Sequence, residues 1–151
     1  WPKKIQDGGA VRNQYVELID VATTILDILG IEPPEEMGGI PQMDIHGESI
    51  AEVFTNPDAE TRSTQFYLMR GSRAIYHEGW KAIAYHERGT PFEEDRWELY
   101  DTESDFSESK DLAAGHPEKL EELKALWWSE AEKYGALPLV EFQPPWQNDD
   151  E

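Results

Sequence analysis

The chain has 151 residues, with 32 acidic against 13 basic side chains and a formal net charge of −19. Such a field repels phosphate backbones and anionic lipid, so neither a nucleic-acid nor a membrane partner is expected, and no apolar run approaches the roughly 20 residues of a membrane span. Six Trp, six Tyr and five Phe within a 38% apolar composition argue for a folded core, while the absence of cysteine removes any disulfide framework or thiolate metal site and leaves the compartment open.

The opening Trp1-Pro2-Lys3-Lys4 has neither an initiator methionine nor a signal-peptide pattern and reads as the interior of a longer chain, so a fragment is expected. After the turn signal Asp7-Gly8-Gly9, Asp20 is the expected N-cap of a helix over residues 21–29, in which Val21, Ile25, Ile28 and Leu29 share a face. Gly30 should stop it, Pro33-Pro34 should prevent its resumption, and its apolar circumference predicts burial. Residues 32–47 read as loop. Ser49 and Glu52 have the spacing of a capping box before a short helix over residues 50–54.

Four strands are predicted next, over residues 65–69, 73–77, 80–86 and 96–100, rich in aromatic and β-branched side chains and separated by turn signals. Glu78-Gly79 should form the tightest turn, which sets Tyr76 near Lys81 and Ile75 near Ala82 in an antiparallel meander. One face of that meander needs an apolar cover. A polar connector follows, with Phe106 and Leu112 as expected anchors. A helix should then start with Pro117 at its first position and run to about Tyr134, where Gly135 stops it. Its apolar stripe of Leu120, Leu123, Trp127, Ala131 and Tyr134 is the candidate cover for the sheet. The tail 136–151 reads as an extended strap anchored by Leu139, Phe142 and Trp146. The fold class is therefore α+β, a four-stranded antiparallel sheet covered by a long C-terminal helix and preceded by a separate helix.

No chemistry is composed within these residues. His46, His77, His86 and His116 never fall at the i, i+3 or i+4 spacing of paired metal ligands. Asp101-x-Glu103-x-Asp105 opens like a calcium loop but places Phe106 where glycine is needed and Leu112 where a bidentate glutamate belongs. There is no phosphate-binding glycine loop and no nucleophile elbow. Six of the 13 basic residues, Arg62, Arg70, Arg73, Lys81, Arg88 and Arg96, lie between 62 and 96, which suits either ion pairing or a patch for an anion.

Two stretches carry a family likeness. Residues 19–31, IDVATTILDILGI, resemble the Asp-x-x-Pro-Thr-Leu-Leu-Asp-Leu-x-Gly helix of the type I sulfatases, the arylsulfatase branch of the alkaline phosphatase superfamily. RAIYHEGWKAI and then WELYDTESDFSESKDLAAGHPEKLEEL are similar to the pattern of that family's C-terminal subdomain: Arg-Ala-hydrophobic, Gly-aromatic-Lys, Leu-Tyr-Asp and Asn-Leu-Ala. This sequence departs from it at Ala22-Thr23 in place of x-Pro, at Phe106-Ser107 in place of Asp-Pro, and at Asp111 in place of Asn.

The resemblance implies that residues 1–63 close a main α/β domain and that 64–151 form the antiparallel subdomain. It implies a parent enzyme that hydrolyses a sulfate ester with a formylglycine nucleophile and a divalent cation, usually calcium. None of the seven serines heads the S-x-P-x-R nucleophile motif, so no catalytic residue, metal ligand or cofactor is assigned to this chain, and the N-terminal catalytic portion of the parent becomes its expected partner. Two readings stay open beside this: a stand-alone acidic α+β interaction module, and a fragment of a related phosphonate or phosphate ester hydrolase. In the family the loop between the first two strands of the subdomain lies near the mouth of the active site. Here that loop is Met69-Arg70-Gly71-Ser72, which makes Arg70 the candidate substrate-binding residue, with a turn residue paired to a nearby glutamate as the alternative. The helix over 21–29 would pack on a main sheet outside this chain, leaving Ile25, Leu26 and Leu29 partly uncovered.

Overall fold

A computed structural model describes residues 1–143 and divides into two compact units, Trp1–Arg62 and Ser63–Glu151. In the first unit, α1 spans Leu18–Leu29. It starts three residues earlier than the sequence suggests, because Glu17 and not Asp20 is the N-cap. Asp20 sits at the third helical position and closes a capping box by accepting the Glu17 amide at 2.8 Å. Gly30 ends the helix in the left-handed conformation at φ 63°, as expected.

Asp20 does more than cap. Its carboxylate is fully buried and holds the buried Arg62 guanidinium in a paired contact, with Arg62 Nε at 3.2 Å, while also accepting the Glu48 amide at 2.8 Å. Thr24, one turn on, donates to the Asp20 carbonyl at 2.6 Å and accepts the Ile50 amide at 3.0 Å. These bonds draw the 46–50 loop onto α1. The approach is close enough that a Cβ on Gly47 would stand 2.2 Å from the Ile19 carbonyl oxygen.

Several expectations for this unit are corrected. The predicted capping box at Ser49 does not form: the Ser49 hydroxyl donates to Asp27, and the following turn, Ala51–Phe54, is 3₁₀ with Ile50 as its cap. The loop over 32–47 contains a small hairpin, β1 Glu36–Met37 and β2 Ile40–Pro41, turned by Gly38-Gly39 at φ 62° and 83°. The apolar face of α1 is not buried: only Asp20 and Thr24 are, while Ile25 is 53% and Leu29 62% exposed and Leu26 is half-buried.

The second unit is the expected meander. Strands β3 Thr64–Met69, β4 Ser72–His77, β5 Trp80–Ala84 and β6 Trp97–Asp101 pair antiparallel in the order β3-β4-β5-β6. Tyr76 faces Lys81 and Ile75 faces Ala82 across the Glu78-Gly79 turn, whose two residues both have positive φ. Because side chains alternate, one row crosses the whole sheet on a single face: Phe66, Ile75, Ala82 and Leu99, directly opposite one another in turn. Helix α2, Pro117–Lys133, lies over this row and touches all four strands, burying Leu123, Trp127 and Ala131. The Trp127 indole N–H donates to the Tyr67 carbonyl at 3.1 Å, which fixes the helix along β3. Leu139 of the tail packs against the same core, whereas the expected anchor Trp146 lies outside the described residues.

The connector after β6 is organised by carboxylates rather than by Phe106, which is 92% exposed and anchors nothing. Asp105 accepts from the amides of Ser109 and Lys110 and from both the Ser107 and Ser109 hydroxyls. Asp111 accepts the amides of Ala113 and Leu99, and Leu112 donates back to the Leu99 carbonyl at 2.8 Å. At Leu99 the outer edge of β6 is thereby occupied by its own loop.

Two consequences are measurable. Replacing Trp127 with Ala should destabilise the second unit by about 3–5 kcal/mol in denaturant titration, since a buried aromatic is lost and its cavity only partly collapses. In the first unit burial would push the Asp20 carboxyl up, but its hydrogen bonds to Arg62, Glu48 and Glu17 outweigh that and hold it below the usual range. Its contribution is therefore complete above the unfolded carboxyl value of about 4 and is lost as pH falls through the lower folded value. Asp20→Asn should cost about 3–5 kcal/mol at neutral pH, and its deficit against the wild type should shrink on acidification below about pH 4.

Candidate functional site

The chemistry of the second unit gathers at the end of the sheet that carries the β3–β4 turn. Arg73, on β4, points to the helix-covered face, two residues from Ile75, and is buried with 2% of its side chain accessible. Its guanidinium pairs with Asp95, donates to the Phe92 carbonyl at 3.0 Å, and stands 5.3–6.0 Å from the ring centres of Phe92, Trp97, Trp127 and Trp128. The aromatic faces and one carboxylate offset the charge that burial would otherwise make costly.

Asp95 serves a second partner. Nδ1 of His86 lies 3.0 and 3.1 Å from its two oxygens, and Nε2 of the same ring lies 3.4 Å from Glu141, on the tail. His86 is buried and stacks on Phe92 with ring centres 4.0 Å apart. Its amide donates to the Ser72 hydroxyl at 3.1 Å, and so β5 ends at Ala84 instead of running to His86: a side chain has taken the N–H that would extend the ladder. The turn Arg70-Gly71 rests on this imidazole. Gly71, at φ 90°, is so close that a Cβ there would be 2.5 Å from His86 Cδ2.

Above the buried Arg73, Asp95 and His86, and the half-buried Glu141 that joins them, opens a cleft of about 450 Å³, walled by Arg70, Tyr85, Arg88 and Phe142. Arg70 has φ 53°, a left-handed conformation that disfavours a branched or long side chain, and its guanidinium lies over the Phe142 ring at 5.0 Å. Of the six basic residues between 62 and 96, five reach a carboxylate: Arg62 to Asp20, Arg73 to Asp95, Lys81 to Glu108, Arg88 to Glu141 and Arg96 to Asp111. For Arg70 no such carboxylate stands within 4 Å among the described residues, and the glutamate pairing considered from sequence is absent there.

Among the described residues the cleft pairs no serine with a histidine base, because both ring nitrogens of His86 face carboxylates and the Ser72 hydroxyl meets its amide instead. It offers cations and ring faces, the means of binding an anion attached to something flat. Three of its determinants, His86, Asp95 and Glu141, were not singled out by sequence reasoning. They lie 55 residues apart at the extremes, and no spacing rule links a histidine after one strand, an aspartate before another and a glutamate in a tail. The other histidines are elsewhere: His77 Nδ1 lies 2.8 Å from Thr64 Oγ1, and His116 packs beside Trp80.

With this geometry in place, comparison with known proteins is informative. The family model described as N-sulphoglucosamine sulphohydrolase, C-terminal, matches residues 1–133. An uncharacterized sulfatase of Schizosaccharomyces pombe is 29% identical over 120 residues, which cover 78% of this chain and 21% of that protein. The solved structure of BT4656 in complex with its substrate D-glucosamine-2-N,6-O-disulfate superposes with a TM-score of 0.55 at 25% identity, over 78% of this chain and 24% of that one. A second structure, concerned with the metabolism of multiple glycosaminoglycans by Bacteroides thetaiotaomicron, gives a TM-score of 0.50 at 21% identity over 73% of this chain and 24% of that one, a likeness of fold alone. This chain thus spans between 21% and 24% of the length of these relatives.

Gly71→Ala tests the support of the Arg70 turn. The added methyl must displace the His86 ring and hold a strained φ, so a loss of about 1–3 kcal/mol is expected, together with shifted His86 ring resonances in NMR spectra. A wild-type melting curve and unmoved His86 signals would contradict that arrangement.

Proposed function

The chain belongs to the N-sulphoglucosamine sulphohydrolase C-terminal family, and from that membership we propose that it is the C-terminal part of a sulfatase whose parent hydrolyses the sulfate ester or sulfamate of an amino sugar. The observation that carries the reading is the family match across residues 1–133, running through both units and ending with α2. The sulfated glucosamine bound as substrate by the BT4656 relative supports the choice of sugar.

In this reading residues 1–63 complete the main α/β domain and 64–151 form the subdomain. The exposed apolar side chains of α1, with Leu18 at 83% and Leu29 at 62%, support packing against the preceding part of the parent. Formylglycine and a divalent cation, calcium by family precedent, would supply the nucleophile and offset charge on the sulfate. The described residues do not fit either group. The chain has no cysteine and no serine in the required motif, no three His, Asp or Glu side chains gather as a cation site among the described residues, and the oxygens of Asp101 and Asp105 accept from loop amides and hydroxyls. Both groups are therefore assigned to the rest of the parent. This chain contributes position, and its Arg70 is proposed to contact the anionic substrate.

Assay of the complete parent decides the matter. It should release sulfate from a sulfated glucosamine, whereas the 151-residue chain alone should show no turnover even with calcium supplied. Arg70→Ala in the parent should raise KM by about five- to tenfold with a smaller fall in kcat, because a contact made equally to ground and transition states contributes uniform binding. Metal-dependent turnover by the isolated chain, or a complete parent inert on every sulfate ester tried, overturns the assignment. Unchanged kinetics on Arg70→Ala across several substrates would leave that residue a structural role.

A further inference from the structure

We infer that residues 139–142 of the tail form a strap latched by one proton: with that proton in place His86 holds Glu141 against the end of the sheet, and its loss releases the strap. The inference rests on side-chain geometry and is independent of what the parent hydrolyses.

A neutral imidazole has one N–H and one lone pair, so it can donate to a carboxylate on one side only. His86 faces a carboxylate on both. Nδ1 lies 3.0 and 3.1 Å from the two Asp95 oxygens, and Nε2 lies 3.4 Å from Glu141 Oε2. The arrangement needs one proton more than a neutral ring between two carboxylates supplies. Carried on Nε2, it makes an imidazolium that donates both ways; carried on Glu141, it makes a carboxyl that donates to Nε2. Either way its removal leaves a lone pair against an anion.

Burial decides which side then lets go. The His86 and Asp95 side chains are 1% and 3% exposed, Asp95 is also the counter-ion of buried Arg73, and His86 is held further by its stack on Phe92 and its amide bond to Ser72. Glu141 is 33% exposed. It follows Leu139, which packs on the core, and Val140, which is 72% exposed. The Nδ1 proton therefore stays with Asp95 and Glu141 moves. Phe142 moves with it, away from the Arg70 guanidinium that it meets at 5.0 Å in the latched form.

The charged groups gathered round the latch come from every element packed there: Arg73 on β4, Arg70 on the β3–β4 turn, Arg88 after β5, Asp95 before β6 and Glu141 on the tail, with the Tyr85 phenol turned outward. Arg88 Nε at 3.9 Å and the Gly89 amide at 3.1 Å also hold Glu141, so the proton controls part of the fastening and not all of it. Imidazole is the side chain suited to such control near neutral pH. The sign follows directly: the strap is latched at the acid end and freed as pH rises through the titration of His86.

NMR of the 151-residue chain between about pH 5 and 8 tests this. Val140 and Phe142 resonances should follow the same midpoint as the His86 ring, the ratio of latched to released tail falling about five- to tenfold toward high pH. Glu141→Gln should abolish the response and leave the tail latched throughout, because a carboxamide accepts from a protonated Nε2 with its oxygen and donates to an unprotonated one with its nitrogen. Glu141→Ala should release the tail at every pH. His46, His77 and His116 are unchanged in all three forms. A tail transition that survives in Glu141→Gln, a strap that tightens toward high pH, or Val140 and Phe142 signals indifferent to the His86 titration overturns the inference.

Discussion

The second unit depends on a charge held where charge is least welcome. Arg73 lies on the core face of β4 in the row beside Ile75, with 2% of its side chain accessible, and its Nε has no hydrogen-bond partner among the described residues. Such burial is tolerable only because Asp95 supplies the counter-charge and four aromatic rings present their negative faces. The consequence is positional. One guanidinium ties β4 to the 92–95 segment and to the Trp127-Trp128 step of α2. Asp95, fixed by Arg73, in turn fixes His86, and the turn bearing Arg70 rests on His86. The geometry of an exposed cleft is thus set from the interior outward.

The first unit uses the same device with the signs exchanged. There a buried carboxylate, Asp20, gathers donors from Arg62, Glu48 and Glu17, and a helix start, a loop and the end of the unit converge on it. In both units a single ion with several hydrogen bonds does what a small apolar cluster could not, because each bond has a direction and accepts one partner only. The family's aspartate in the α1 motif and its Asn-Leu-Ala signature are intelligible in these terms. Asp111 presents to the Leu99 and Ala113 amides an oxygen that asparagine could also present, so the substitution keeps the loop and adds an ion pair to Arg96.

What was legible in the sequence follows from range. The meander, its Glu78-Gly79 turn, the register of Ile75 on Ala82 and the helix beginning at Pro117 are short-range patterns, and alternation or a 3.6-residue period reports them directly. Arg70 was reachable as a turn residue in a basic cluster. Asp20 reads as a cap in sequence because its one visible role is local, whereas its pairing with Arg62 spans 42 residues. The apolar stripe of α1 says that a face is to be covered and nothing of whether the cover is in the same stretch of chain; the uncovered Ile25 and Leu29 follow the expectation carried by the resemblance, not the burial that periodicity alone suggests. Phe106 is no anchor despite its hydrophobicity, because the Asp105 network fixes that loop through polar atoms and leaves the ring outside.

The loop that closes β6 has a meaning beyond its own shape. An antiparallel meander ends in strands whose unpaired backbone groups can recruit any passing extended chain. Here the Leu99 amide is given to Asp111 and the Leu99 carbonyl to the Leu112 amide, so that rim of the sheet is already spoken for by the polypeptide that leaves it. Asp111 thereby occupies the donor that an added strand would use at Leu99. At Leu99 a carboxylate and one returning amide take up the backbone donor and acceptor that an added strand would need.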